Sequence, residues 1–471
     1  MRSRVAYGYA LVLALGLAYF LVRMPYQISD DLEHLLIFQF QSVKDLLVAR
    51  FTGPESMRPG MWLTQKLVFD LAPDGHYFST YKAVHVALLI ILLLLFVRLL
   101  RVRTALDLIA LPLALTTLVG IHTFSVTVRE GYPVNHFLIV LVSCLIVANL
   151  AGATTHRAWH DVMAVLTLAY AVFTFESGVL VWVCIVVGYA AGWRGVSRQG
   201  VLGATAVLAA YFIVRFAVLD VGTRTLGVTS SGYGFSVRDT GELTELFGNA
   251  PWKFYLYNVV CAALTVLFSE PRAGVFQFTQ FALRGSVPPW ALVNVAVSTI
   301  GTVLIVADLI PRLRRWKAWT FERDDVLLLM FVAVLAANSA ISYPYLKEVV
   351  MSPAGMFYAI ALFIAVRDLL HRLRQQPSAV ALWVAIPLLV LSTGWSLRDV
   401  TLVQTLRTSA FVNRNDWAAA EEREDEVRPQ WRQRHRDAER LVRQLRDEVV
   451  NTPVPQLYTT PRWTKAWIDP Y

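Results

Sequence analysis

Long apolar runs separated by short polar connectors dominate the hydrophobic pattern of this chain. Ala83–Val97 and Ala379–Leu391, for example, contain no Asp, Glu, Lys or Arg. Such runs are typical of helices that cross a bilayer, which need about 20 residues. The pattern predicts an all-α polytopic membrane protein with about eleven transmembrane helices. We place the spans near residues 5–23, 81–99, 105–122, 136–152, 161–175, 178–192, 201–219, 289–310, 326–342, 354–370 and 378–396.

Basic residues predict the orientation of the spans. Arg98 and Arg103 follow the second span, Arg194 follows the sixth, and Arg312–Lys317 follows the eighth. Because cytoplasmic connectors are enriched in Lys and Arg, these connectors are expected on the cytoplasmic side together with Arg2 at the N-terminus. The C-terminus is then extracytoplasmic, and the longer loops all lie on the outer face.

Two regions follow from this arrangement. Residues 1–396 form the membrane domain, with a first outer loop at 24–80, and residues 397–471 form an extracytoplasmic charged tail. The tail is predicted to contain two solvated helices, 418–426 and 431–450, with acidic and basic residues mixed along them.

The first outer loop is predicted to contain amphipathic helices lying in the membrane interface. The first helix carries its apolar residues at helical spacing. These residues are Leu32, Leu35, Leu36, Phe40, Val43, Leu46 and Leu47. A second, shorter helix covers Met61–Leu71.

One apolar segment does not fit the count of spans. Phe254–Phe268 is short, and a single crossing there would place the Arg312–Lys317 cluster outside. The segment is therefore either re-entrant or interfacial, or it spans together with a second segment near Val275–Leu283. The sequence leaves both possibilities open.

Composition agrees with a membrane protein and gives no indication of nucleic-acid binding. Apolar residues make up 56% of the chain and charged residues 16%, and the net charge of +9 lies largely in the connectors that fix topology. Cys144, Cys184 and Cys261 all fall in apolar segments without metal-ligand spacing, which indicates small buried residues.

Two adjacent carboxylates, Asp30 and Asp31, follow the first span directly. Asp30 can cap the next helix, with Glu33 in the capping-box position behind it. Both acids also suit the positive end of a helix. A cap needs only one of them, however, so the pair is also a candidate acid/base centre. The two roles are compatible, because a cap fixes the direction of the carboxylate.

An ordered set of motifs within residues 5–220 resembles the GT-C superfamily, the polyprenyl-phosphate-sugar-dependent glycosyltransferases of membranes. Ser29-Asp30-Asp31 follows the first span, Met57-Arg58-Pro59 follows an amphipathic helix, and Tyr81–Val86 opens the second span. Phe175–Gly178 is similar to the Lys-Glu turn of the family, with Phe175 in place of the Lys. Tyr211–Arg215 resembles the helix after that turn.

The resemblance implies transfer of a sugar from a polyprenyl-phosphate donor to a glycan, lipid or protein acceptor on the periplasmic face of a bacterial inner membrane. The acceptor hydroxyl must lose a proton, which a nearby carboxylate can take. Asp30 matches the first acid of the family and is the expected base. Asp31 would orient the substrate or bind a cation.

The phosphate leaving group needs positive charge, and several outer-face residues could supply it. Lys347 and Tyr343 lie in the turn above a span end, where Lys347 could equally be a residue that snorkels to the interface. The arginine candidates are Arg58, Arg129 and Arg238.

Acidic and histidine side chains extend the candidate site. Glu130 is either a solvated partner of Arg129 or a second acid beside Asp31, and Glu176 either pairs with an arginine or contacts substrate. The sequence identifies no definite cofactor, but His34 lies on one helix face with Asp31 and could bind a divalent metal together with Glu130.

A flippase or transporter of lipid-linked sugars is the competing interpretation. Transporters are expected to carry ionisable residues or broken helices in mid-span, often in repeated halves. This sequence has few charges in mid-span and no internal repeat, and its polar residues concentrate on the outer face. The pattern therefore favours the enzyme.

Overall fold

The computed structural model describes residues 2–28, 30–52, 58–129, 133–219, 231–232, 235–236, 240–248, 252–375, 378–419, 436–451 and 466–467. Most of them are helical. The helices are α1 (Arg2–Leu21), α2 (Asp30–Phe40), α3 (Val43–Thr52), α4 (Pro59–Leu71), α5 (Tyr77–Leu100), α6 (Ala105–Gly120), α7 (His122–Arg129), α8 (His136–Ala151), α9 (Ala158–Thr174), α10 (Val179–Ala190), α11 (Arg198–Phe212), α12 (Thr240–Phe247), α13 (Trp252–Phe268), α14 (Val275–Leu283), α15 (Pro289–Lys317), α16 (Arg323–Ile341), α17 (Ser352–Leu373), α18 (Ser378–Ala418) and α19 (Arg436–Val450).

A few shorter elements complete the description. Turns of 3₁₀ helix at Glu176–Gly178 and Glu348–Met351 lead into α10 and α17, and a π-helical turn at Ile213–Val218 extends α11. Strands β1 (Ser231–Gly232) and β2 (Phe235–Ser236) pair antiparallel, with Ser231 opposite Ser236.

The helices are those of a multi-pass membrane protein. Within the part of the chain that the structure describes, seven are long and apolar enough to cross a bilayer, or eight if α6 and α7 form one span bent by 60°. A helix also lies at each remaining predicted span, but α8, α9 and α10 have only 16, 17 and 12 residues. The polytopic helical class is therefore confirmed, whereas eleven crossings remain a prediction.

Helix α17 forms the centre of the bundle. Every residue from Ser352 to Val366 is buried, and the helix packs against α6, α15 and α16. Its sequence is apolar on all sides over this stretch, which is the pattern of a helix enclosed by other helices.

Contacts between helix ends define two ends of the bundle. Arg2 donates to the carbonyl of Arg103 (3.2 Å), and Arg323 donates to that of Leu99 (2.7 Å). We call this the basic end. The turns that follow α9 and α16 lie at the opposite end, because each of those helices starts at the basic end and runs away from it.

The apolar segment Phe254–Phe268, which did not fit the predicted number of spans, enters and leaves at the same end of the bundle. Near its start, Asn258 donates to the carbonyl of Tyr343 (2.9 Å). Just beyond its end, Arg272 pairs with Glu348 (3.1 Å). Because both partners belong to the 343–348 turn, this geometry favours the re-entrant alternative.

The first outer loop and the tail pack together on the opposite end. The single helix expected first in that loop is broken into α2 and α3 by Ser42, whose hydroxyl caps α3 by accepting from the backbone N–H of Asp45 (3.2 Å). The second expected helix, Met61–Leu71, is α4. Trp417 donates to the carbonyl of Tyr26 (2.8 Å), which ties the end of α18 to the start of the loop.

The tail begins inside a helix and is partly packed. Helix α18 continues without a break past residue 396, the predicted domain boundary. Helix α19 buries Leu441 and Leu445, and Glu448 accepts from the backbone N–H of Phe78 (2.9 Å) at the start of α5. It is therefore not solvated on all sides. The predicted helix at 418–426 lies almost entirely outside the described residues.

Candidate functional site

One carboxylate joins two arginines at the end of the bundle opposite the basic end. Arg58 Nε donates to both oxygens of Glu176 (3.1 Å each), and its Nη2 lies 2.9 Å from Oε2. Arg215 Nη2 donates to Oε1 of the same carboxylate (3.1 Å). Two guanidiniums share one carboxylate, so these three residues, which we call the Glu176 cluster, carry a net positive charge.

The start of α4 positions Arg58. Arg58 is the residue before the helix, and Pro59 occupies its first position, where no backbone N–H is needed. A side chain at Gly60 would come within 3.0 Å of the backbone of Phe173, so glycine allows α4 to approach the end of α9 closely. The Arg58 guanidinium lies 4.6 Å from the ring centre of Phe175. This close approach places the arginine beside the Glu176 turn.

The Glu176 turn is equally constrained. A Cβ at Gly178 would lie 2.3 Å from the backbone of Ala171, so a larger residue would push the turn away from α9. Burial raises the pKa of Glu176, but Arg58 and Arg215 outweigh burial and bring the pKa down to about 2. The carboxylate is therefore ionised at physiological pH.

Arg215 comes from the π-helical turn that ends α11. Its Nη1 donates to the hydroxyl of Tyr211 (2.6 Å), which fixes the guanidinium beside Glu176. Single π-helical turns recur at functional sites. The sequence analysis included Arg215 in the Tyr211–Arg215 motif of the family resemblance but left it out of the site. The sequence feature that could have identified it is its position inside an otherwise apolar, span-like run, where an arginine is costly.

Aromatic side chains border the cluster. Tyr343 is 38% exposed and packs edge-on against Tyr255, with 5.3 Å between ring centres. The charge of Arg215 acts on the Tyr343 phenol, which places the two near each other, and burial raises the pKa of that phenol. Tyr343 is thus a neutral, accessible hydrogen-bonding group near the cluster, and its contact with substrate stays a prediction.

Helix α2, which begins with the two aspartates, is attached to α4. His34 Nδ1 lies 3.0 Å from Oε1 of Gln65, and its ring centre lies 4.3 Å from that of Trp62. His136 is within electrostatic range of His34 and of Arg58 and Glu176. His34 on α2 and the Glu176 cluster therefore both lie near His136.

Other predicted site residues lie apart or outside the described chain. Within the described residues, no hydrogen bond or ion pair joins Arg129 or Lys347 to Glu176. Lys347 instead lies 4.9 Å over the ring of Tyr345. Glu130 and Arg238 lie outside the described residues, as do the side chains of Asp30 and Asp31.

The described side chains offer no metal centre. Among them, no group of three His, Cys, Asp or Glu residues is arranged to hold a metal ion. His34 was expected to bind the metal together with Asp31 and Glu130. Neither of those two side chains is among the described ones. A metal at His34 therefore stays a prediction.

Arg398 is a buried arginine that was not anticipated from the sequence. Arg398 in α18 donates to the carbonyl of Gly120 (2.9 Å) and to the hydroxyl of Ser269 (2.8 Å), and it lies 3.3 Å from Nδ1 of His122. These contacts join three segments of the chain. Its role is to hold the bent junction between α6 and α7 against α18.

Comparison with protein-family models, with curated proteins and with solved structures finds no match for this chain.

Proposed function

We propose that this protein is a membrane glycosyltransferase that moves a sugar from a polyprenyl-phosphate donor to an acceptor at the end of the bundle that carries the Glu176 cluster. The observation that carries the proposal is the excess of positive charge there. Arg58 and Arg215 present guanidiniums that share one carboxylate, and their side chains are 28% and 12% exposed. Partly exposed guanidiniums held in place suit a phosphate leaving group.

Asp30 and Asp31 at the start of α2 supply the acid/base chemistry in this proposal. Asp30 accepts the proton of the acceptor hydroxyl as that oxygen attacks the anomeric carbon. The bond from that carbon to the phosphate oxygen then breaks, and the released lipid phosphate is stabilised by Arg58 and Arg215. Asp31 orients the substrates. The attachment of α2 to α4 through His34 and Gln65 supports this placement.

In this proposal, the membrane determines where the lipid donor lies and which side of the bilayer the cluster faces. A polyprenyl chain partitions into the bilayer that the long apolar helices cross, so its phosphate is presented at the level of the helix ends. By the positive-inside rule the basic end is cytoplasmic, which places the Glu176 cluster on the periplasmic side of an inner membrane. The acceptor is a periplasmic glycan, lipid or protein.

Transfer of radiolabelled sugar in membranes tests this proposal. Wild type, Asp30→Asn and Asp31→Asn are supplied with a panel of polyprenyl-phosphate sugars at matched protein levels. We expect wild type to transfer and Asp30→Asn to lose on the order of a hundredfold or more, as for removal of a general base. Arg194→Gln, at an exposed position after α10, is the control and should keep full activity.

Two results would contradict the proposal. Equal transfer by wild type and both asparagine variants would remove the acid/base role of the aspartates. Movement of lipid-linked sugar across vesicles by wild type, without transfer from any donor, would favour the carrier interpretation instead.

A further inference from the structure

A cavity of about 340 Å³ opens at the basic end, where α1 meets the end of α5. Arg98, Arg101 and Arg103 line it together with Ser3 and Tyr7, and Val97 belongs to its apolar part. The cavity therefore combines guanidiniums, two hydroxyl groups and an apolar wall. None of these residues contributes to the Glu176 cluster at the other end of the bundle.

The positive charge in this cavity is not neutralised by its lining. No carboxylate is among the described lining residues. Asp107 lies next to the lining, where its Oδ2 accepts from the backbone N–H groups of Arg103 (2.7 Å) and Thr104 (2.6 Å), but the ion pair that its Oδ1 makes is with Arg367 (3.9 Å). Arg2 adds a further positive charge next to Arg103, because its Nη1 donates to the Arg103 carbonyl.

Backbone geometry and one main-chain contact fix Arg101 at the end of α5. Arg101 ends α5 in a left-handed conformation (φ 49°), which is uncommon for a residue other than glycine, and its Nη2 donates to the carbonyl of Gly152. Burial lowers the pKa of Arg101, and the charges of Arg103 and Arg98 lower it further. The three arginines therefore repel one another, and an anion between them would relieve that repulsion.

The surroundings of the cavity indicate an amphiphilic anion. Leu11 and Leu15 follow Tyr7 at successive fourth positions along α1 and are 42% and 54% exposed, so an exposed apolar stripe leads away from the cavity. Basic pockets between transmembrane helices at the cytoplasmic surface bind anionic lipid headgroups. We propose that the cavity binds the phosphate of an anionic phospholipid, with the guanidiniums on the phosphate and the acyl chains along α1.

Native mass spectrometry of the purified full chain tests this site. Protein in neutral detergent is titrated with phosphatidylglycerol, or with phosphatidylcholine as the zwitterionic comparison. The variant is Arg98→Gln with Arg103→Gln, because both side chains are exposed and the described contacts of Arg103 use only its backbone. The control is Arg194→Gln with Arg198→Gln, which removes the same charge from other exposed positions on connectors of the same end.

We expect wild type and control to retain one phosphatidylglycerol in preference to phosphatidylcholine, and the Arg98/Arg103 variant to bind it on the order of tenfold more weakly. An unchanged midpoint of thermal unfolding in lipid-free detergent verifies that the variant is folded. Equal loss in variant and control would show non-specific attraction and overturn the site, as would equal binding by all three proteins.

A competition arm separates a lipid from a free anion. Inorganic phosphate at millimolar concentration should displace phosphatidylglycerol only weakly, since it lacks the apolar contacts along α1. Displacement by inorganic phosphate at the affinity of the lipid would overturn the lipid assignment.

Discussion

Arginine–carboxylate clusters lie at both ends of the bundle, and their charge balances differ. At the opposite end, Arg58 and Arg215 share the single carboxylate of Glu176. At the basic end, the single guanidinium of Arg312 contacts three carboxylates. Neighbouring arginines pair with these same carboxylates or with an adjacent aspartate. The pairs of this network are Arg312 with Asp308, Asp325 and Asp368, Arg315 with Asp325, Arg372 with Asp308, and Arg367 with Asp324.

The comparison separates a structural network from the proposed binding site. The Arg312 side chain is only 7% exposed, and its partners lie on α15, α16 and α17, so the network fastens these three helices together. Its carboxylates are at least as numerous as its guanidiniums. The Glu176 cluster has excess positive charge and more exposed arginines, which leaves it able to accept an anion.

The largest expected effect is on stability at the basic end. Arg312→Gln leaves three buried or half-buried carboxylates without their shared partner, which costs about 3–5 kcal/mol. The free energy of unfolding in detergent measures this loss. A decrease below about 1 kcal/mol, the usual value for a surface ion pair, would contradict a structural role for the network.

The next effect is on activity at the opposite end. Arg215→Gln should lower sugar transfer about a hundredfold, the usual cost of removing one donor to a developing anion. Arg215→Lys should fall in between, because a lysine keeps the charge without the planar fork. Both variants should lower the unfolding temperature less than Arg312→Gln does, because Arg58 still pairs with Glu176. Equal losses of stability for Arg215→Gln and Arg312→Gln would remove the contrast between the two clusters.

A smaller effect is expected from moving the carboxylate. Gly178→Ala places a methyl group 2.3 Å from the backbone of Ala171, so the Glu176 turn must shift, at about 1–3 kcal/mol. Transfer should fall along with the unfolding temperature. Gly8→Ala in α1, where a Cβ meets nothing within 4 Å, is the matched control: it should leave transfer unchanged and should not lower the unfolding temperature.

The smallest effect is a pH dependence below pH 5. The pKa of Glu176 falls from its ordinary value of 4.5 to about 2 in the folded protein, so its ion pairs stabilise the fold fully above pH 4.5. That contribution is lost as the pH falls through about 2. Unfolding midpoints between pH 5 and 2 should decline less steeply for Glu176→Gln than for wild type. Parallel curves would contradict the depressed pKa.

Sequence patterns predicted the helices better than the site. Uncharged runs such as Ala83–Val97 mark helices reliably, because a bilayer requires long apolar segments. The break at Ser42 and the continuation of α18 beyond residue 396 were missed, since polar helices lack that constraint. Arg58 and Glu176 were each predicted as site residues, but no spacing rule joins residues 118 positions apart. Arg215 was missed because it lies in an apolar run.

The most direct test of the central claim is equilibrium binding of a short-chain polyprenyl phosphate, the leaving group alone, to protein in neutral detergent. Arg58→Gln with Arg215→Gln changes the net charge of the Glu176 cluster from positive to negative. We expect this variant to bind at least about a hundredfold more weakly than wild type, and the Arg194→Gln control to bind as wild type does. Wild-type affinity in the double variant would contradict a phosphate site at the Glu176 cluster.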